Sequence, residues 1–182
     1  METRRRRRLL TAFAVLAAVA VVVGAALFQP WRLFTSSTLD EPLPAAATAP
    51  ASPAVSGTPA APHPSLPAPL PHELGRGSFQ SQEHPTSGTA LLLQLPDGSR
   101  VLRLEDMASS DGPDIKIWLS DLDAGGDWFK YRSGRYLDLG TIKATHGNQN
   151  YQIPPEVDLT GFRTVVLWCD RFSVAFGSAG LT

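Results

Sequence analysis

Five consecutive arginines, Arg4 to Arg8, are followed by twenty residues, Leu9 to Phe28, that carry no charge. Only Thr11 and Gly24 interrupt a run of Leu, Ala, Val and Phe. In hydrocarbon a backbone must satisfy its own hydrogen bonds, and a lone segment does so only as a helix. At about 1.5 Å per residue, a run of this length crosses the roughly 30 Å apolar core of a bilayer. The arginine cluster is expected on the cytoplasmic side, with everything after Phe28 on the other. Trp31 and Arg32 suit the far interface, where an indole and a snorkelling cation are both accommodated. A cleaved signal peptide is the competing reading. Val23-Gly24-Ala25 offers a small-x-small site, although Leu27 and Phe28 keep the segment apolar beyond it. Either reading puts the rest of the chain outside the cytoplasm.

From Leu39 to His72 the chain is Pro, Ala, Ser and Thr with little else. Such a stretch cannot bury enough apolar surface to fold, and its spaced prolines favour extended polyproline II. It reads as a disordered stalk that holds a domain away from the membrane. The expected organisation is a basic segment over 1–8, a transmembrane helix over 9–28, a disordered proline-alanine linker over 29–73 and a folded domain over 74–182.

That last part alternates short apolar runs with turn signals. Ser78 to Gln80, Thr89 to Leu95, Val101 to Glu105, Asp114 to Leu119, Arg135 to Leu139 and Asn150 to Ile153 read as strands. Pro96-Asp97-Gly98-Ser99 predicts a hairpin turn between the second and third. Asp121 to Arg132 reads as a loop, and Gly147 to Asn150 as turn chemistry. The richest run is Thr164 to Asp170, which predicts a strand buried on both faces. Alternation puts Val165, Leu167 and Cys169 on one face and Val166 and Trp168 on the other. Phe172 to Phe176 reads as its partner. No stretch of ten residues here has helical periodicity. The expected fold is all-β, an antiparallel sandwich or barrel, behind one membrane helix and a disordered stalk.

Charge and cysteine usage exclude some functions. From Leu74 onward ten Lys and Arg stand against thirteen Asp and Glu, a net charge of −3. That balance does not suit nucleic acid, which needs clustered cations. The chain has one cysteine, so it closes no internal disulfide. Asp121-x-Asp123-x-x-x-Asp127 lacks the glycine and closing glutamate of a calcium loop. No Gly-x-Ser-x-Gly elbow supports hydrolysis. Cys169 has two readings: a small buried hydrophobe, or a thiol at a strand end whose ionisation the cation of Arg171 would favour.

Six short motifs occur in one order: Gly77-Ser78-Phe79, His84-Pro85-Thr86-Ser87-Gly88-Thr89-Ala90, Gly112-Pro113-Asp114-Ile115 with Trp118-Leu119-Ser120, Leu137-Asp138-Leu139-Gly140, Gly147-Asn148-Gln149-Asn150-Tyr151 and Val165-Val166-Leu167-Trp168-Cys169. Together they resemble the DM13 domain family over nearly all of Leu74 to Thr182. The resemblance implies a β-sandwich-like extracytoplasmic domain with a proposed electron-transfer role. It maps the family's characteristic cysteine onto Cys169, acting as a free thiol or through a bound group such as haem. His84 and His146, the domain's only histidines, are then the candidate axial or metal-site partners of Cys169, though no close ligand spacing marks them. A non-catalytic surface-binding module is the alternative, with Trp128, Phe129 and Tyr131 as contact residues.

Overall fold

The computed structural model describes residues 2–31, 35–44 and 70–182. Among these described residues one helix, α1 (Glu2–Phe28), precedes nine strands: β1 (Thr38–Asp40), β2 (His72–Ser81), β3 (Thr86–Gln94), β4 (Arg100–Ser109), β5 (Ile115–Ser120), β6 (Tyr136–Thr141), β7 (His146–Ile153), β8 (Thr164–Cys169) and β9 (Val174–Gly180). Between β5 and β6 a short 3₁₀ turn occupies Lys130–Ser133. The all-β expectation therefore holds. The residues 45–69 of the expected stalk lie outside those described. Over Leu9–Phe28, α1 has a mean hydropathy of 2.6 and none of it is buried against the protein. A transmembrane span and a signal sequence both have these properties.

The strands form one sheet in the order β1-β7-β4-β3-β2-β9-β8-β5-β6. All neighbours are antiparallel except β1 with β7. The expected hairpin closes β3 onto β4. Gly98 takes a φ of 86° there, and Asp97 accepts hydrogen bonds from the amide and hydroxyl of Ser99. The two halves of the sheet meet at β2, which pairs with β3 through Ser78 and with β9 from Phe79 onward. The sheet curls there into a half-barrel, and β6 comes into contact with β7.

Inside the curl lies one apolar layer. Ala90, Leu92, Leu102, Leu104, Tyr151 and Ile153 come from one half, and Ile115, Ile117, Leu119, Val165, Leu167 and Phe176 from the other. Each fully buried aliphatic side chain of this kind contributes about 1.5–3 kcal/mol. A smaller cluster covers the outer face of β8: Trp118, Tyr131, Val166, Trp168 and Ala175. The alternation along Thr164 to Cys169 thus divides the side chains between the two layers as read from the sequence.

Two expectations need correction. Gly147 to Asn150 belongs to β7 and is not a turn. Its polar residues are held by partners distant in sequence. Gln149 is buried, donates to the Ala144 carbonyl and accepts from Tyr151. Asn148 donates to Asp40, and Asn150 to the carbonyl of Pro42. The second correction follows from these bonds. Thr38 to Pro42, read as linker, lies along the edge of the sheet. Thr38, Leu39 and Asp40 register with His146, Gly147 and Asn148. The hydroxyl of Thr145 donates to the Ser37 carbonyl at 3.0 Å. Lys143 bonds both carboxylate oxygens of Glu41 at 2.8 and 2.9 Å. A side chain at position 147 would run into the Leu39 carbonyl, 2.3 Å from a Cβ there, so glycine permits the approach.

Burial alone would raise the pKa of Glu41. The bond from Lys143, the Asn150 amide and the nearby charges of Lys143 and Arg103 outweigh it and hold the carboxyl below its ordinary value. The stabilisation is therefore fully present above the ordinary carboxylate range and is lost as pH falls through the lowered value. Glu41→Gln is expected to weaken the β1 contact by about 1 kcal/mol. Hydrogen exchange should show faster exchange at Asn148 and Asn150 in that variant, and the same change in the parent protein on acidification.

Candidate functional site

β8 is buried along its whole length because it is the central strand of its half, with β5 on one side and β9 on the other. Cys169 is its last residue, registered with Ile115 on β5 and Val174 on β9. It is 0% exposed and belongs to the inner apolar layer. Burial pushes its pKa up, and the nearby carboxylate of Asp114 adds to that rise. Backbone hydrogen bonds at Phe172, Arg171 and Asp114 act in the opposite sense and are outweighed. The thiol is therefore protonated at neutral pH.

Residues 170–173 close over the sulfur, with Ser173 at a φ of 54° and the Asp170 amide donating to the Asp114 carbonyl. The expectation that the cation of Arg171 acts on the thiol needs correction. The guanidinium turns outward and donates to the carbonyl of Leu27 at 3.3 Å. Arg171 reaches Cys169 through its backbone instead.

His84 sits on the chain between β2 and β3. Its ring lies 4.0 Å from that of Phe176, centre to centre, and its Nε2 is 2.6 Å from a carboxylate oxygen of Glu83. It lines an apolar cleft of about 370 Å³ together with Pro113, Phe172, Val174 and Phe176. Val174 and Phe176 belong to the same core layer as Cys169 and form a wall of the cleft, whereas Cys169 is not among its lining residues. His146 opens β7, and its Nδ1 is 2.9 Å from the Thr145 hydroxyl. It lines a different cleft, with Pro85, Thr86 and Ser109. The three candidate residues thus do not converge. Among the described residues no group of three or more His, Cys, Asp or Glu is placed to hold a metal. A haem needs an open slot at the sulfur and a histidine facing it. A sealed sulfur and two histidines in separate clefts do not fit that group.

Sequence reasoning missed the aromatic stack on the outer face of β8. Tyr136 stacks on Trp118 at 3.9 Å between ring centres, and Trp118 on Trp168 at 4.9 Å. Tyr131 meets Trp168 edge-on at 6.4 Å. Tyr136 is 44% exposed, whereas Trp168 is fully buried and immediately precedes Cys169. Of the loop aromatics, Trp128 and Phe129 are exposed and Tyr131 is core. The signal available in the sequence was parity: Trp118 and Trp168 both fall on the face away from the inner layer.

Cys169→Ser puts a hydroxyl into an apolar layer where only the backbone groups at Phe172, Arg171 and Asp114 can partner it, and should cost about 1 kcal/mol. Cys169→Ala adds no polar group and should cost less. Denaturant melts of the two variants check the order. In the native protein an alkylating reagent should label Cys169 only as fast as the covering turn opens.

A family model described as "Electron transfer DM13" matches residues 78–181, more than half of the chain. No curated protein and no solved structure matches it.

Proposed function

The chain belongs to the DM13 family, and from that premise we propose that it is a membrane-tethered, extracytoplasmic redox module whose working group is the thiol of Cys169. In this reading Leu9–Phe28 is an uncleaved single-pass anchor with its arginines in the cytoplasm. Residues 74–182 form the working domain, joined to the anchor through the proline-alanine segment.

The observation that carries the redox reading is the position of the chain's one thiol. Cys169 lies inside the family match and next to Trp168, the buried end of a ring stack that begins at the surface with Tyr136. A sealed sulfur is badly placed for bond-forming chemistry, which needs contact. Loss of an electron needs only a route, and the stacked rings supply one. The partner is a one-electron acceptor outside the domain. The thiol gives up one electron to it and one proton to the medium, leaving a sulfur-centred radical. Because the thiol pKa is raised, the proton has to leave with the electron. His84 is kept as the candidate proton-handling residue beside the core layer. His146 has no comparable position.

A surface-binding module remains the second reading, favoured by the exposed rings of Trp128 and Phe129, 42% and 63% accessible. A one-electron oxidant applied to the purified protein separates the two. The redox reading expects a thiol-dependent oxidation that Cys169→Ala removes. The rate should rise with pH and continue to rise above the ordinary thiol range, as a raised pKa requires. Oxidation unchanged by Cys169→Ala leaves the binding reading. Topology is checked separately. A reporter fused after Thr182 should be active only outside the cytoplasm, and the membrane-bound protein should retain Met1.

A further inference from the structure

We infer that the end of the sheet carrying Arg171 and Phe172 rests on the membrane surface, with the chain leaving β1 and re-entering β2 at the opposite end of the domain. The inference rests on the anchor reading of Leu9–Phe28 and fails with it. It stands the domain next to the membrane rather than at the end of the stalk read in the sequence.

The first argument is reach. α1 ends at Phe28, and Ser37 is already hydrogen-bonded to Thr145 on the domain. Residues 29–37 can span at most about 30 Å when fully extended. Any excursion after Pro42 lies beyond the point where β1 is fastened, so it cannot set the height of the domain.

The second argument is strand direction. β1 starts with Thr38 beside His146, the first residue of β7, and runs parallel to it. At that same end lie Ala108 near the close of β4, Thr86 at the start of β3, and the covering turn over Cys169. The other end carries Gln94, Arg100 and Ile153, with which His72 begins β2. The chain therefore leaves β1 heading away from α1 and re-enters β2 at the far end. β1 and β2 are four strand spacings apart in the sheet, about 19 Å.

The third argument is chemistry. Phe172 stacks on Phe28 with ring centres 6.0 Å apart and planes 13° from parallel. Arg171 donates to the carbonyl of Leu27, one of the carbonyls that a helix end leaves unpaired. Phe172 and Trp31 remain 45% and 52% exposed. Exposed aromatic rings beside an arginine suit the headgroup level of a bilayer, where rings lie among the acyl boundary and a guanidinium meets phosphate.

The test uses the full-length chain in vesicles of phosphatidylcholine and phosphatidylglycerol. Nitroxide labels are placed singly by Val19→Cys, Phe172→Cys and Asp97→Cys in a Cys169→Ala background. Accessibility is read with oxygen, which concentrates in lipid, and with a nickel chelate, which stays in water. The expected result is lipid-like behaviour at 19, a severalfold higher oxygen-to-chelate ratio at 172 than at 97, and water-like behaviour at 97. A label at Arg171→Cys provides a second reading of the same turn if Phe172→Cys folds poorly. Shortening 45–69 to ten residues should leave the ratio at 172 unchanged. A lipid-like 19 with 172 as wet as 97 overturns the inference and spares the anchor. A water-like or missing 19 overturns both. A ratio at 172 that changes when the segment is shortened restores the stalk.

Discussion

The curl of the sheet depends on one close approach between backbones. A Cβ at Gly77 would lie 2.1 Å from the carbonyl oxygen of Gly180, so no other residue leaves room for β2 and β9 to meet as they do. Gly177 is crowded by a side chain instead, that of Thr86 on β3, whose Cβ would lie 2.6 Å away. With glycine at these positions, β2 serves two partners in succession and one sheet encloses one core layer. Without them the halves would splay, and the layer that buries Cys169 would open to water. β8, flanked by β5 and β9, is the central strand of its half, and its last residue is inaccessible.

The chemistry of the thiol follows from that placement. Burial and the Asp114 carboxylate keep the proton on sulfur, and the backbone bonds from the covering turn only moderate the effect. A reactive cysteine of the usual kind is exposed and electropositive. Cys169 is neither, and the cation two residues away points outward. Exchange chemistry therefore needs the turn to open, whereas electron loss does not. The neighbouring rings matter for this reason. They reach the surface at Tyr136 from the outer side of β8, the side the inner layer does not close.

Most strands were legible in the sequence because each carries its own periodicity. The faces of Val165 to Cys169 and the hairpin at Asp97-Gly98 needed no distant information. The failures share a cause, which is that distant residues decide them. Thr38 to Pro42 has no strand signal, and its bonds come from residues about a hundred positions on, such as Asn148 and Lys143. Gly147 to Asn150 looked like a turn because Asn and Gly tolerate turns. In the fold the same polar side chains are used to hold β1. Tyr131 sits in a polar loop, yet packs on Trp168 because a single 3₁₀ turn folds the loop back over β8. For the site, the candidate cysteine and its face were readable. The separation of His84 from His146 was not, since it depends on which strand ends share an edge.

The turn over Cys169 links the chemical reading to the membrane reading. Arg171 and Phe172 bring backbone bonds to the sulfur, while their side chains engage the end of α1. The two roles fall on the same two residues. Here β1 fastens the chain soon after the helix, and the covering turn is the part of the domain nearest that helix. β1, a three-residue strand that composition alone assigns to the stalk, thus limits how far the covering turn can lie from the end of α1.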